Sequence, residues 1–476
     1  MGGTDFSEEP TFRLKLLVDK EKNKVVLAEV GKDFVDVLFS FLLLPMGTIV
    51  RLLRKHHENQ KSQTAATTIG CFNNLYKSVV DMSNDNFLTE ACKDILLYPI
   101  HAKERPCKRL KLNIDDTTTK YYRCPDLGNS QSCSKAYSNF CSLKCVCGKF
   151  MEQEIKVRDG VLTEIFVSDK KSFIILDNMK VRFNSIALTL KSLRELGYTD
   201  LDKLDEMLVD VGHKEVLALL ECLFSADTPL TDAFLMKRKS CIITRTHNMP
   251  SLATVQDGGK AESNEILSVT VFVRKQDKKV LYAESGQDFV DLLLMFLAVP
   301  LESVWGISGN NIELGCIENF CKSMRSLSSS QATNASTCIS KLPWNYSFQA
   351  PLLGVCSKLD PPLWTLKINS QSYDLKMMYP NYDGSEESTI QGSNGLLKRG
   401  TTYMISDDLT ISATNSSSTI CILKKWNVDL DDIEEHVIDI SKKEAIGLLR
   451  ASLMTSTALT TALGSLLLKK PKKEKP

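Results

Sequence analysis

Neither sign of charge prevails in this chain. Its 476 residues carry 59 Lys and Arg against 58 Asp and Glu, a net charge of +1. That balance argues against a protein devoted to holding nucleic acid, whose domain is usually strongly basic. It argues equally against an acidic solvating tail. Aromatic side chains make up only 7%, and all four tryptophans (Trp305, Trp344, Trp364 and Trp426) fall in the second part of the chain. Residues 1–11 lack a cationic start and an apolar run, so no secretory signal is expected. Also missing are a phosphate-cradling glycine loop, a Gly-x-Ser-x-Gly elbow, a His-Glu-x-x-His pair and a dinucleotide fingerprint. Cysteine, by contrast, is plentiful. Fifteen of them without a secretory signal point to thiols or metal ligands in a reducing compartment rather than to disulfides. With 43% apolar and 25% charged residues the composition is that of an ordinary globular protein, long enough for about two to four domains.

The chain contains one pattern written twice. Residues Leu14–Pro45 align without gaps on Val269–Pro300, and 15 of 32 positions are identical. The strongest stretch is Ala28-Glu29-x-Gly31-x-Asp33-Phe34-Val35-Asp36 against Ala283-Glu284-x-Gly286-x-Asp288-Phe289-Val290-Asp291. Four shorter blocks follow in the same order. Gly70-Cys71 and Lys77-Ser78 match Gly315-Cys316 and Lys322-Ser323; Leu110-Lys-Leu-Asn113 matches Leu366-Lys-Ile-Asn369. Phe173–Asp177 matches Tyr403–Asp407, and the stretch from Asp210 to Thr231 matches Asp439 to Thr460. Tandem duplication accounts for this order. The divisions expected are an N-terminal tail 1–11, a first domain 12–239, a linker 240–266, a second domain 267–468 and a basic tail 469–476.

Each copy opens with alternation (Leu14, Leu16, Val18; Val269, Val271, Val273), a charged turn and a second apolar run, which predicts a β-hairpin. Asp33 then stands where a helix N-cap is expected, with Asp36 in the capping-box position and Phe34, Val37, Leu38, Phe41 and Leu42 at helical spacing. Capping explains both carboxylates without chemistry. Two short strands are expected about Asp177-Asn178 and about Asp407-Asp408. Leu204, Met207, Leu208 and Val211 read as one helical stripe and Val216, Leu217, Leu220 and Leu223 as another, and Thr228–Asp232 as the start of a final short helix. The expected fold class is α+β: two homologous tandem domains, each with a hairpin and helix start, a loop-rich insert and a C-terminal strand pair with helices. The uncharged run Ala451–Leu468 imitates a tail anchor, but its counterpart holds Asp227, Pro229 and Asp232, so a buried helix is expected there.

One constellation could carry chemistry: Cys124-x8-Cys133-x7-Cys141-x3-Cys145-x-Cys147-Gly148, in the first copy alone. Four thiolates around Zn²⁺ would explain such density, and Cys145-x-Cys147-Gly148 looks like one knuckle of a zinc ribbon. The candidate ligands are Cys124, Cys133, Cys145 and Cys147, with Cys141 as a spare or substitute. The competing reading is reduced thiols in a polar loop. None of the six histidines (His56, His57, His101, His213, His247, His436) recurs between copies.

Taken in order, several motifs resemble a known family. They are Gly31-Lys-Asp-Phe-Val-Asp36, Leu96-Leu-Tyr-Pro99, Leu110-Lys-Leu-Asn-Ile-Asp-Asp116, Cys145-Val-Cys-Gly148, Thr228-Pro-Leu-Thr-Asp-Ala-Phe-Leu235 and Tyr403-Met-Ile-Ser-Asp-Asp-Leu409. The set is similar to plant proteins carrying "domain of unknown function 674", commonly present in two copies. That resemblance implies no activity, catalytic residue or cofactor. Two functional classes follow from the residues. A non-catalytic interaction or scaffold protein, cytoplasmic and with protein partners, is favoured by the missing nucleophile, phosphate and repeated-histidine motifs. The alternative is an enzyme of unrecognised type, with a site between the copies or at Asp177, Asp407 and Asp408. A weaker third class, nucleic-acid association, rests on the basic run Lys103–Lys111; the closing Lys-Lys-Pro-Lys-Lys-Glu-Lys also reads as a nuclear address.

Overall fold

The computed structural model describes residues 10–59, 68–100, 104–115, 117–129, 132–156, 165–167, 172–236, 266–309, 315–329, 351–353, 364–368, 371–380, 395–414, 420, 424 and 429–467. The linker, apart from Ile266, the basic tail, and most of the N-terminal tail lie outside the described residues, as do Lys103, His101 and His247.

The first half supplies β1 (Phe12–Asp19), β2 (Lys24–Val30), β3 (Tyr122–Arg123), β4 (Ala136–Ser138), β5 (Gln153–Glu154), β6 (Phe173–Leu176), β7 (Val181–Phe183) and β8 (Leu204–Val211). From the second half come β9 (Leu267–Arg274), β10 (Val280–Ser285), β11 (Trp364–Ile368), β12 (Gln371–Met377), β13 (Tyr403–Ser406), β14 (Ile411–Ala413) and β15 (Ile433–Ile440). They form an α+β protein with three sheets. Two have the same plan, in the orders β7-β6-β2-β1-β8 and β14-β13-β10-β9-β15. Their hairpins follow from alternation: Leu14, Leu16 and Val18 are buried on one face, as are Val269, Val271 and Val273. Asn23 and Lys278, matched turn residues, both take the left-handed backbone conformation. The third sheet, β11-β12-β4-β3-β5, draws strands from both halves.

Two expected details are corrected. Gly31, not Asp33, is the N-cap of the helix Lys32–Leu43, and its counterpart Gly286 caps Gln287–Met295. Asp33 lies in the first turn, where the helix dipole favours it. Asp36 is no capping-box residue; it is buried inside the fold. Second, Leu204–Val211 is not a helix but strand β8, paired with β1 along its whole length. Its apolar residues fit helical spacing because two of them, Met207 and Leu208, face solvent at a sheet edge, so burial does not impose alternation. The stripe Val216–Leu223 is helical as expected, within His213–Ser225. The short helix expected to start at Thr228–Asp232 is present: Asp232 N–H donates to Thr228 O at 3.0 Å, and the segment widens over Thr231–Met236. The apolar run near the end is broken into helices Lys442–Met454 and Ala458–Leu467. Among the described residues no helix is long and apolar enough to cross a membrane.

The two halves interlock through one core that contains the inner faces of both large sheets. Met46 N–H donates to Val299 O at 3.0 Å while Leu301 N–H donates to Leu44 O at 3.1 Å, around an antiparallel bridge between Pro45 and Pro300. Each contact is the other with the halves exchanged, the mark of an isologous interface. Helices cross over as well. The helix Phe72–Asp81 of the first half leans on the second half's sheet: Asn74 Nδ2 donates to Asp408 O at 2.9 Å. Its counterpart Ile317–Ser329 leans on the first, with Asn319 Nδ2 donating to Asn178 O at 3.1 Å. A segment between sequence-matched elements therefore packs on the opposite sheet.

Candidate metal centre

The cysteine segment builds a small core of its own, separate from the main one. Its strands are only two or three residues long, too short to hold by ladder hydrogen bonds alone. Cys124 follows β3, Cys133 precedes β4, and Cys145 and Cys147 lie on a tight turn before β5. That turn is fixed by Cys145 N–H donating to Lys149 O and Gly148 N–H donating to Cys145 O, both at 2.8 Å. Gly148 has φ of +84°, which glycine adopts without strain, so the turn can bring Cys147 back over Cys145.

The sulfurs converge. Cys124 Sγ and Cys147 Sγ are 3.4 Å apart, and Cys145 Sγ and Cys133 Sγ 3.9 Å. The sulfurs of Cys124, Cys145 and Cys147 all lie within 4.8 Å of one another, a largely buried group of three able to hold a metal ion. Cys133, the fourth ligand expected from the sequence, is not one of that group, although its sulfur approaches Cys145. Zinc–sulfur bonds of about 2.3 Å in a tetrahedron require S···S distances of about 3.8 Å. Cys141 is exposed and outside this cluster.

Three of the sulfurs accept a backbone amide. The amides of Asp126, Lys135 and Cys147 donate to Cys124, Cys133 and Cys145 respectively, each from two residues further on. Ser134 adds its N–H at 3.5 Å and its hydroxyl at 3.2 Å to Cys145. Burial pushes the Cys145 thiol up, but the Ser134 and Cys147 donors outweigh it and bring it down to about 7. Cys124 and Cys133 are pushed up, first of all by burial. Lys149, paired with Asp126 at 2.8 Å, sets a cation near Cys147 and Cys124. Sequence reasoning missed Ser134, whose hydroxyl has no motif, and the apolar cover from the second half. Leu375, Met377 and Met378 are buried against the cysteine segment.

The acids named for the enzyme alternative are otherwise employed. Asp177 accepts from Thr231 N–H at 3.0 Å and from its hydroxyl at 2.7 Å; Asp407 accepts from Thr460 at 2.8 and 2.9 Å. Each threonine oxygen in turn receives a strand amide, from Val25 or Val280. Asp408 accepts from Ser406 Oγ and Thr410 N–H in a turn. Asp36 accepts from the amides of Phe166 at 3.2 Å and Val167 at 3.1 Å, and Asp291 from Leu396 at 3.2 Å. Burial raises all four repeated carboxyls, Asp36 and Asp407 to about 6. In the basic run, Lys108 pairs with Glu104 at 2.5 Å and Lys111 lies over the Phe12 ring.

Fold and thiol cluster together describe an α+β protein with a candidate metal centre beside its shared sheet. The chain belongs to the family described as protein of unknown function (DUF674), which it matches over residues 8–443. No curated protein and no solved structure matches it.

Proposed function

We propose that this is a non-catalytic interaction protein of the cytoplasm, built from a duplicated unit and holding one structural zinc ion. The observation that carries the interaction reading is a matched pair of exposed apolar side chains. Leu208 on β8 and Val437 on β15 are 66% and 69% exposed, at equivalent positions of strands that each end a sheet. An edge strand with an open ladder and an exposed aliphatic side chain is a site for another chain to add to. The repeated carboxylates support the non-catalytic side: each is buried and spent on backbone amides or threonine. Protein partners are proposed, reached through two related edges.

Zinc is the metal that the donor set favours, since four soft thiolates in a closed shell leave no position for a substrate water. Its ligands are Cys124, Cys133, Cys145 and Cys147. Protein purified without added metal should carry about one zinc per chain, and Cys145→Ser with Cys147→Ser should abolish it. Cys141→Ser should not. For the interaction reading, proximity labelling in plant cells should compare the wild type with a Leu208→Lys, Val437→Lys variant. Loss of a defined set of neighbours, with thermal stability retained, supports docking at these edges. An unchanged set would dispose of it.

A further inference from the structure

We propose that the metal centre is the lock that ties a hairpin of the second half to the first half, so that metal occupancy sets the order of β11–β12. The proposal rests on the zinc reading above.

Every ligand comes from the first half, yet the sheet they support is completed by the second. Strand β4 sits between β3, which leads into Cys124, and the hairpin β11–β12. It pairs with β12 in parallel, Ala136 opposite Lys376 and Tyr137 opposite Met377. Parallel pairing of so few residues is weak by itself. Among the described residues two further amides add to it: Lys376 N–H donates to Lys135 O at 3.1 Å, and Met378 N–H donates to Tyr137 O at 2.7 Å, while just beyond β12 Pro380 O accepts from Thr89 Oγ1 and Cys92 Sγ. The acceptors Lys135 and Tyr137 flank Ala136, in a stretch anchored by Cys133.

The same hairpin covers the thiols. Leu375 and Met378 are fully buried and Met377 nearly so, in the cluster that holds Cys124, Cys133 and Cys145. Without the metal, the Cys133–Ser138 segment is held by two- and three-residue strands and a detached small core. Four sulfurs drawn to one ion fix the ends of all three short strands at once, and a strand of fixed position is a template for β12. Coupling of this kind is reciprocal: if metal orders the hairpin, the hairpin must tighten the metal.

The experiment uses the full chain, measuring amide exchange with zinc bound and after removal by EDTA. Exchange at Lys376 and Met378 should rise at least about tenfold on metal removal, a coupling of ordinary size. Amides of β1 and β9, inside the large sheets, should keep their protection. In the reverse direction, Leu375→Ala removes apolar cover but no ligand, and should weaken zinc binding about tenfold in competition with a chromogenic chelator. Zinc that binds and leaves without changing Lys376 and Met378 would overturn the lock while leaving the zinc reading intact. Loss of protection throughout both large sheets would overturn it too, because the metal would then hold the whole fold and not this hairpin. Protein that carries no zinc and binds none would overturn the zinc reading itself.

Discussion

The backbone N–H of Ile411 donates to Ser78 Oγ at 2.9 Å, between residues 333 apart in the chain. The matched pair, Val181 N–H to Ser323 Oγ at 3.0 Å, makes the same bond in the opposite direction between the halves. In both, a helix serine caps the amide of a short outer strand, β14 or β7, on the other half's sheet. A buried strand amide needs an acceptor, and here the acceptor comes from the other half of the molecule. Neither large sheet is fully satisfied by its own half.

Ser78→Ala and Ser323→Ala should therefore each cost about 1–3 kcal/mol, the penalty for a buried donor left without a partner. The sites use different strands and different helices, so the double variant should lose close to the sum. Urea unfolding of the full chain measures this. A loss of a few tenths would mean that water reaches those amides.

Gly70 and Gly315 have φ of +50° and +49°, and each lies against a carbonyl of the other half. A Cβ on Gly70 would stand 2.2 Å from Ser452 O, and one on Gly315 2.3 Å from Leu223 O. Alanine at either position should cost more than the roughly 1–2 kcal/mol of left-handed backbone alone, because backbone must also move. Gly197, with φ of +83° and nothing within 4 Å, is the control and should lose only the backbone part on replacement by alanine. Equal losses at Gly70 and Gly197 would show that the helix can retreat from the carbonyl.

Stability should fall as pH rises from about 4 to about 6. Asp36 and Asp407 titrate near 6 when folded, chiefly because burial penalises the charge, against an ordinary 3.8. Between those values the folded protein holds protons that the unfolded chain has released, so a rise in pH favours unfolding. Each such group contributes at most about 1.4 kcal/mol per pH unit. Asp407→Asn should flatten this part of the profile, and Asp36→Asn should flatten it again. An unchanged slope would mean that both carboxyls ionise freely in the folded state.

Much of the fold is legible in the residues because burial enforces period. Leu14, Leu16 and Val18 alternate since one face of β1 is core, and the matched spacing in Val269–Val273 predicts the same strand. Where burial does not act, the pattern misleads: β8 carries Met207 and Leu208 at an exposed edge and reads as a helix. Asp36 misleads for a different reason. Three residues beyond a capping aspartate is where a capping box puts its acid, and nothing local says that the amides of Phe166 and Val167 will arrive there instead. The crossing of helices is invisible for a deeper cause. A match between Gly70-Cys71 and Gly315-Cys316 says that two segments have equivalent surroundings, not which half supplies them. The thiol site is half legible: the cysteines and the glycine turn show in the sequence, while the cover from Leu375 and Met378 depends on a contact more than two hundred residues away.

The interlocking also predicts what happens when the chain is cut. A protease site inserted at Gly258-Gly259, in the sequence joining the halves, severs them without touching a described contact. The fragments would still share one core, the reciprocal Pro45–Pro300 bridge and two helices packed on opposite sheets. Separating them would expose helix faces and leave the amides of Ile411 and Val181 without their serine acceptors, a cost far beyond that of a small, mostly polar domain contact. Cleaved protein should therefore run as one species of unchanged size in native gel filtration and as two bands under denaturing conditions. Each fragment expressed alone should be unstable or associate with itself, since its own sheet lacks the helix that the other fragment supplies. Two separate, folded, monomeric fragments would show that each half can recruit its own helix.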